Sequence, residues 1–176
     1  GLGPRWFAEH LTGDPTVLAR IFRYPAAGDE GAWGVGEHTD YGLVTILAHD
    51  GRAGLEVRAP GGWLPVPAVE GAFVVNLGDM LEAMTGGRYR STPHRVVAPA
   101  DGPDRLSFPV FFDPAWDARV APLPLDHLGP PSPAQGERWD GTPVDAWEGR
   151  YGDYLTAKVA KVFPDLGAEV FDQPQA

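Results

Sequence analysis

The 176-residue chain contains no cysteine. Disulfide frameworks and thiolate metal sites are thereby excluded, and any metal has to be held by imidazole and carboxylate groups. Positive charge is scarce: 14 Lys and Arg stand against 24 Asp and Glu, a formal net charge of −10. That surplus repels nucleic acid and anionic membrane surfaces, so a small-molecule substrate is the expected partner. No apolar run approaches the roughly 18 residues of a membrane helix, and the start lacks the basic and apolar regions of a secretory signal. A cytoplasmic protein is therefore expected. The chain also opens at Gly1 rather than at an initiator Met, which suggests a processed product, a fragment or a trimmed chain.

What is abundant is turn chemistry. The 23 Gly and 19 Pro divide the sequence into short apolar runs, the pattern of a β-rich domain with many turns. Its length and its 43% hydrophobic content suit one globular domain. Strands are expected over 16–24, 35–40, 44–48, 55–58, 63–66, 72–76, 92–97 and 106–112, where β-branched and aromatic residues cluster between breakers. About eight short antiparallel strands pack best as a double-sheet jelly roll, an all-β core with flanking helices. Helices are expected over 5–11, 80–84 and 151–163, the second with Asp79 as its cap and Glu82 reaching back, and with Gly86 and Gly87 ending it. Leu155, Val159 and Val162 form one apolar stripe on the third. Between residue 114 and that helix the Pro-rich chain reads as irregular.

His38 and Asp40 are one residue apart, so on an extended strand both project to the same face. Such a pair occurs often by chance. His94, on a separate strand of the same roll, adds a third donor, and two imidazoles with one carboxylate make the facial triad of non-haem iron(II) oxygenases. Three ligands leave three positions open, enough for a chelating 2-oxo acid and dioxygen. Arg105 and Ser107 alternate along another strand, placing a bidentate fork and a hydroxyl on one face, matched to a carboxylate.

Three runs carry a resemblance to a known family: GEHTDYGLVTIL at 36–47, VVNLGDMLEAMTGGRYRSTPHRV at 74–96 and RLSFPVFF at 105–112. The chain resembles the isopenicillin N synthase-like branch of the 2-oxoglutarate- and iron(II)-dependent dioxygenases, whose fold is a double-stranded β-helix. The resemblance implies that His38, Asp40 and His94 bind Fe(II) and that Arg105 and Ser107 bind the distal carboxylate of 2-oxoglutarate. Tyr24, in the run RIFRYP, is implied as a further cosubstrate ligand. Phe22 stands where plant members often carry Asn. Members are similar to chains of about twice this length, so residues 1–176 are expected to be the catalytic core, with an N-terminal region and part of the substrate pocket outside it.

Other residues have simpler readings. His10, His49 and His127 are expected to be structural or surface groups, Asp79 a helix cap, and Arg88 and Arg90 solvated charges. Tyr41 and Phe111 are candidates for substrate contact, or else core aromatics. Pro109 lacks a ladder donor, which points to a sheet edge or a bulge. The expected activity is oxidative decarboxylation of 2-oxoglutarate coupled to hydroxylation, desaturation or cyclisation of a small organic substrate. The alternatives are an oxidase of the same branch that uses no 2-oxo acid, a non-catalytic ligand-binding jelly roll, and a zinc hydrolase, for which no general base is evident.

Overall fold

The structure, a computed structural model, describes residues 2–28, 33–129 and 148–162. In chain order the elements are α1 (Trp6–His10), β1 (Thr16–Ala19), β2 (Phe22–Tyr24), β3 (Trp33–His38), β4 (Val44–His49), β5 (Leu55–Ala59), β6 (Gly62–Pro65) and β7 (Val74–Leu77). They continue with α2 (Asp79–Met84), β8 (His94–Val97), β9 (Arg105–Asp113), β10 (Arg119–Val120), a 3-10 turn at Asp126–Leu128, β11 (Gly149–Arg150) and α3 (Tyr151–Val162). All strand pairs among the described residues are antiparallel. One sheet runs β1-β9-β4-β7 with β2 also on β9, and a second runs β3-β8-β5-β6. This is the expected double-sheet jelly roll.

Two apolar clusters hold it together. Tyr24, Phe22, Leu47 and Val74 from the larger sheet meet Leu55, Val96 and Val35 from the smaller one, so this cluster is the layer between the sheets. Leu11, Leu43, Met80, Met84, Val120 and Tyr151 form the other, where α1, α2 and α3 gather with the loop after β3. Leu155 packs against it, as its place on the α3 stripe suggests, while Phe163 and the expected irregular segment 130–147 lie outside the described residues. Among the described residues no helix is long and apolar enough to cross a membrane.

Several expectations are corrected. The single strand expected over 16–24 is two, β1 and β2, both on β9 in one continuous register. Arg20 N–H donates to the Pro109 carbonyl at 3.0 Å, but Pro109 has no N–H to return, and the ladder breaks there. Pro109 therefore lies neither at an edge nor in a bulge: β9 is an inner strand, and the missing donor is absorbed by the interruption between β1 and β2. In the described parts of the stretch from residue 114 to α3, expected to be irregular, β10 and β11 pair with each other. Asp40 lies past the end of β3, not on it.

Asp79 is not the cap of α2 either. Gly78 occupies that place and makes no side-chain cap bond. The free N–H groups of the first turn instead meet backbone carbonyls of the preceding loop, Asp79 N–H donating to Asp40 O at 2.8 Å and Met80 N–H to Tyr41 O at 3.1 Å. Glu82 does not reach back, since its carboxylate is taken by Ser91 N–H at 2.9 Å and Arg90 Nε at 3.2 Å. At the other end Gly86 (φ 60°) and Gly87 (φ 77°) close the helix, with Gly87 N–H on Glu82 O and Gly86 N–H on Ala83 O.

The loop 39–43 is pinned from three sides. Besides the bonds to α2, Gly78 N–H donates to Leu43 O at 2.9 Å, and Leu43 N–H donates to Asp113 Oδ1 at 2.9 Å. Asp113 Oδ2 accepts the Tyr151 hydroxyl at 2.7 Å, which ties α3 to the same carboxylate. Burial pushes the Asp113 carboxyl up, and burial beside Asp113 pushes the Tyr151 hydroxyl up as well. Only a residue without Cβ fits at 42, because a Cβ there would stand 1.4 Å from Asp113 Oδ1. Gly42→Ala is expected to lower stability by about 3 kcal/mol in urea denaturation, an over-packing cost at a site that cannot yield. An unchanged midpoint would mean that the loop is not pinned in this way.

Candidate metal centre

His38 closes β3 and His94 opens β8, and the register sets the two directly opposite each other, with ring centroids 4.2 Å apart. Each ring is oriented by a carbonyl two residues earlier in the chain: His38 Nδ1 lies 2.8 Å from Gly36 O and His94 Nδ1 lies 3.0 Å from Thr92 O. A carbonyl only accepts, so Nδ1 carries the proton in both rings and both Nε2 lone pairs are free. They face Asp40 Oδ1, at 3.9 Å from His38 and 3.7 Å from His94. These separations exceed a hydrogen bond. The three residues each offer one ligand atom, all within 4.8 Å of one another.

Asp40 reaches this point from the loop, not by strand alternation with His38, and its aim depends on the bonds that pin residues 39–43. Its other oxygen, Oδ2, accepts Thr45 Oγ1 at 2.6 Å and Asn76 Nδ2 at 2.5 Å. The reading of the sequence missed both donors. The signal was present in the form of one polar residue in each of two apolar runs, VTIL and VVNL, but only the β4–β7 register makes Thr45 and Asn76 neighbours. Burial lowers the proton affinity of His38, the nearby His94 lowers it further, and the bond to Gly36 and the charge of Asp40 oppose both.

Arg105 and Ser107 alternate along β9, and both side chains are almost wholly buried, at 1% and 2% exposure. Tyr24 pairs with Arg105 across β2 and β9. The guanidinium carbon lies 5.1 Å from the Tyr24 ring centre, and Ser107 Oγ donates to Tyr24 Oη at 3.4 Å. The three predicted residues are thus brought together. Arg105 Nε and Nη1 are buried and, among the described residues, have no hydrogen-bond partner. Arg105 also lines a small cavity with apolar walls from Leu47, Leu55, Val66 and Val74 and with Arg52 and His49 beside it. His94 and Val96 share one face of β8, and Val96 packs with Leu55 and Tyr24 in the layer between the sheets.

The remaining candidates separate. Phe111 keeps the strand face of Arg105 and Ser107 and pairs across to Thr45, the residue that holds Asp40. Tyr41 is half-buried next to Asp40, and its hydroxyl is pushed up by burial and then by the carboxylates of Asp79 and Asp40. Lys158 Nζ lies 5.7 Å from its ring centre and 3.7 Å from Asp79 Oδ2. His10 stacks on Trp6 at 4.6 Å and His127 sits exposed in the 3-10 turn, the bland roles expected of them, while His49, which accepts Gly51 N–H at 3.0 Å, also lines the cavity beside Arg105. Arg90 is not a solvated charge, because it pairs with the buried Glu82. Arg88 donates to the Gly129 carbonyl.

Comparison with known proteins bears on the same residues. The family model described as 2OG-Fe(II) oxygenase superfamily matches residues 14–114. A Dictyostelium discoideum protein named "Probable iron/ascorbate oxidoreductase" is 43% identical over 94% of this chain and 50% of its own length. A 2-oxoglutarate-dependent dioxygenase of Aspergillus niger is 44% identical over 73% of this chain and 42% of its own length. Among solved structures, a full-length Neurospora crassa protein in complex with alpha-KG aligns with a TM-score of 0.74 and 28% identity, over 93% of this chain and 49% of that one. The chain therefore spans about half the length of the relatives it matches.

The electrostatics of His38 set a testable pH dependence. Its ordinary value is 6.5 and its folded value is lower, so in that window the unfolded chain binds the proton more readily. The neutral ring thus contributes stability above pH 6.5 that is lost as pH falls through the folded value. In NMR titration of the metal-free protein the His38 ring is expected to protonate below pH 6.5, accompanied by falling stability. A midpoint above that value would contradict the partly buried, His94-facing setting of the ring.

Proposed function

The chain belongs to the 2OG-Fe(II) oxygenase superfamily, and we propose that it holds ferrous iron through His38 Nε2, His94 Nε2 and Asp40 Oδ1 and uses 2-oxoglutarate and dioxygen to oxidise a small organic substrate. The donor set suits the metal: two neutral nitrogens and one carboxylate oxygen fill one side and leave the other open. The observation that carries the cosubstrate is the Arg105 guanidinium, buried with Nε and Nη1 unpartnered on the inner side of the roll. Buried N–H donors left without an acceptor are costly, and a dicarboxylate reaching inward from the metal would supply one.

Iron, 2-oxoglutarate and dioxygen together supply the oxidative chemistry, in which the oxo acid becomes succinate and carbon dioxide while the substrate is oxidised. The chain's residues bind and orient. Arg105 offers charge-assisted N–H donors to a carboxylate, and the hydroxyls of Tyr24 and Ser107 flank it. The apolar walls from Leu47, Leu55, Val66 and Val74 keep water from that ion pair, which strengthens it. Gly36 and Thr92 carbonyls hold both imidazoles in the tautomer that presents Nε2. Tyr41 and Phe111, beside Asp40 and Thr45, are the residues we assign to substrate contact.

Anaerobic addition of Fe(II) and 2-oxoglutarate is expected to produce a visible charge-transfer band, and succinate is expected once air is admitted. His94→Ala should abolish the band and leave far-UV circular dichroism unchanged. Arg105→Met should keep iron binding and weaken 2-oxoglutarate about 10–100-fold, the loss of a charge-assisted pair of about 1.5–3 kcal/mol. Absence of both band and succinate from the unaltered protein would refute the function. Unchanged 2-oxoglutarate affinity in Arg105→Met would refute the role of the guanidinium alone.

A further inference from the structure

The carboxylate of Asp40 is satisfied asymmetrically. A carboxylate has about four acceptor positions over its two oxygens. Here both side-chain donors, Thr45 Oγ1 at 2.6 Å and Asn76 Nδ2 at 2.5 Å, go to Oδ2. Oδ1 instead faces the two Nε2 atoms at 3.7 and 3.9 Å, across a gap too long for hydrogen bonds. If the donors served only to pay for burying a carboxylate, nothing would require both on the same oxygen.

The arrangement depends on register. Thr45 and Asn76 are direct partners across β4 and β7, the only polar residues in the runs VTIL and VVNL, and their side chains stand together on the inner face. Thr45 is buried at 4% exposure, where a polar group is tolerated only with a partner. Two strands thus bring one hydroxyl and one amide to a single oxygen of a residue that lies on neither strand.

We propose that Thr45 and Asn76 are positioning residues which clamp Asp40 Oδ2 and so confine Asp40 to a single metal-binding oxygen, Oδ1. The inference rests on the reading of His38, Asp40 and His94 as the metal site. By holding Oδ2, the pair stops the carboxylate from rotating to offer both oxygens, and the open side of the site stays available to other ligands. Both residues act through Asp40.

The test uses the full chain, metal-free and anaerobic, titrated with Co(II) alone and followed by its visible absorption. Thr45→Val keeps the shape and strand preference of the side chain but removes the donor, and Thr45→Ser restores it. Thr45→Val and Asn76→Ala are each expected to weaken Co(II) binding about 10–100-fold, the usual size of a lost outer-shell bond, while Thr45→Ser binds like the unaltered protein. Circular dichroism and metal-free melting temperature establish that each variant is folded. Should Thr45→Val not fold, Asn76→Ala, at a half-buried position, decides the matter. Unchanged Co(II) affinity in folded Thr45→Val and Asn76→Ala, or a Thr45→Ser as weak as Thr45→Val, overturns the clamp. Failure of the unaltered protein to bind Co(II) overturns the metal site itself, and the clamp with it.

Discussion

The site depends on the way a short loop satisfies a helix. Residues 39–43 present carbonyls to the Asp79 and Met80 N–H groups in the first turn of α2, which the i→i−4 ladder of a helix does not reach, and the helix accepts a backbone cap in place of a side chain. The same loop is held at Leu43 by the Asp113 carboxylate. Asp40 is thereby fixed at its backbone before any side-chain contact is made. The close approach needs glycine at 42 and at 78, where a Cβ would stand 2.2 Å from Gly42 O. One turn therefore links the end of β3, the start of β4, α2, β9 and, through Tyr151, α3.

Around that turn the interior contains polar groups at positions where an ordinary β-sandwich would bury only apolar ones. Asp40, Thr45, Arg105, Ser107 and Asp113 are all at or below 8% exposure. Most are paired, as burial demands. Arg105 is the exception, since among the described residues its Nε and Nη1 have no hydrogen-bond partner, and an unpaired buried donor costs on the order of 1–3 kcal/mol, more when charged. Structures keep such costs where a ligand relieves them. The contrast with Asp113 is instructive: both of its oxygens are bonded within the protein, to Leu43 and Tyr151, and it serves the architecture alone.

Much of the fold could be read from the chain itself, for a physical reason. Gly and Pro act locally, through φ angles and missing donors, so the strand boundaries they impose need no tertiary information. The helix stop at Gly86 and Gly87 is of this kind. The places where reading failed are those where a distant partner decides. Pro109 points to an edge or a bulge because a proline lacks a ladder donor, but the interruption between β1 and β2 supplies the gap. Glu82 fits a capping pattern by spacing, yet Ser91 and Arg90 compete for its carboxylate and win. In β4 and β7 the outward residues Ile46 and Val75 are apolar as well, 38% and 60% exposed, so alternation alone did not separate the inner face from the outer.

By itself the sequence determined the donor types, the absence of thiolate alternatives, and the alternation that sets Arg105 and Ser107 on one face of β9. These follow from side-chain chemistry and from the two-residue period of a strand, both of which are local. Only the tertiary structure decided that Asp40 meets His38 and His94 from a loop, that Gly36 and Thr92 orient the imidazoles, and that Thr45 and Asn76 converge on one carboxylate oxygen. Each of those is a matter of register or loop docking between segments far apart in the chain. A one-residue slip in pairing would turn every side chain of a strand to its other face, and nothing within a single strand specifies against it.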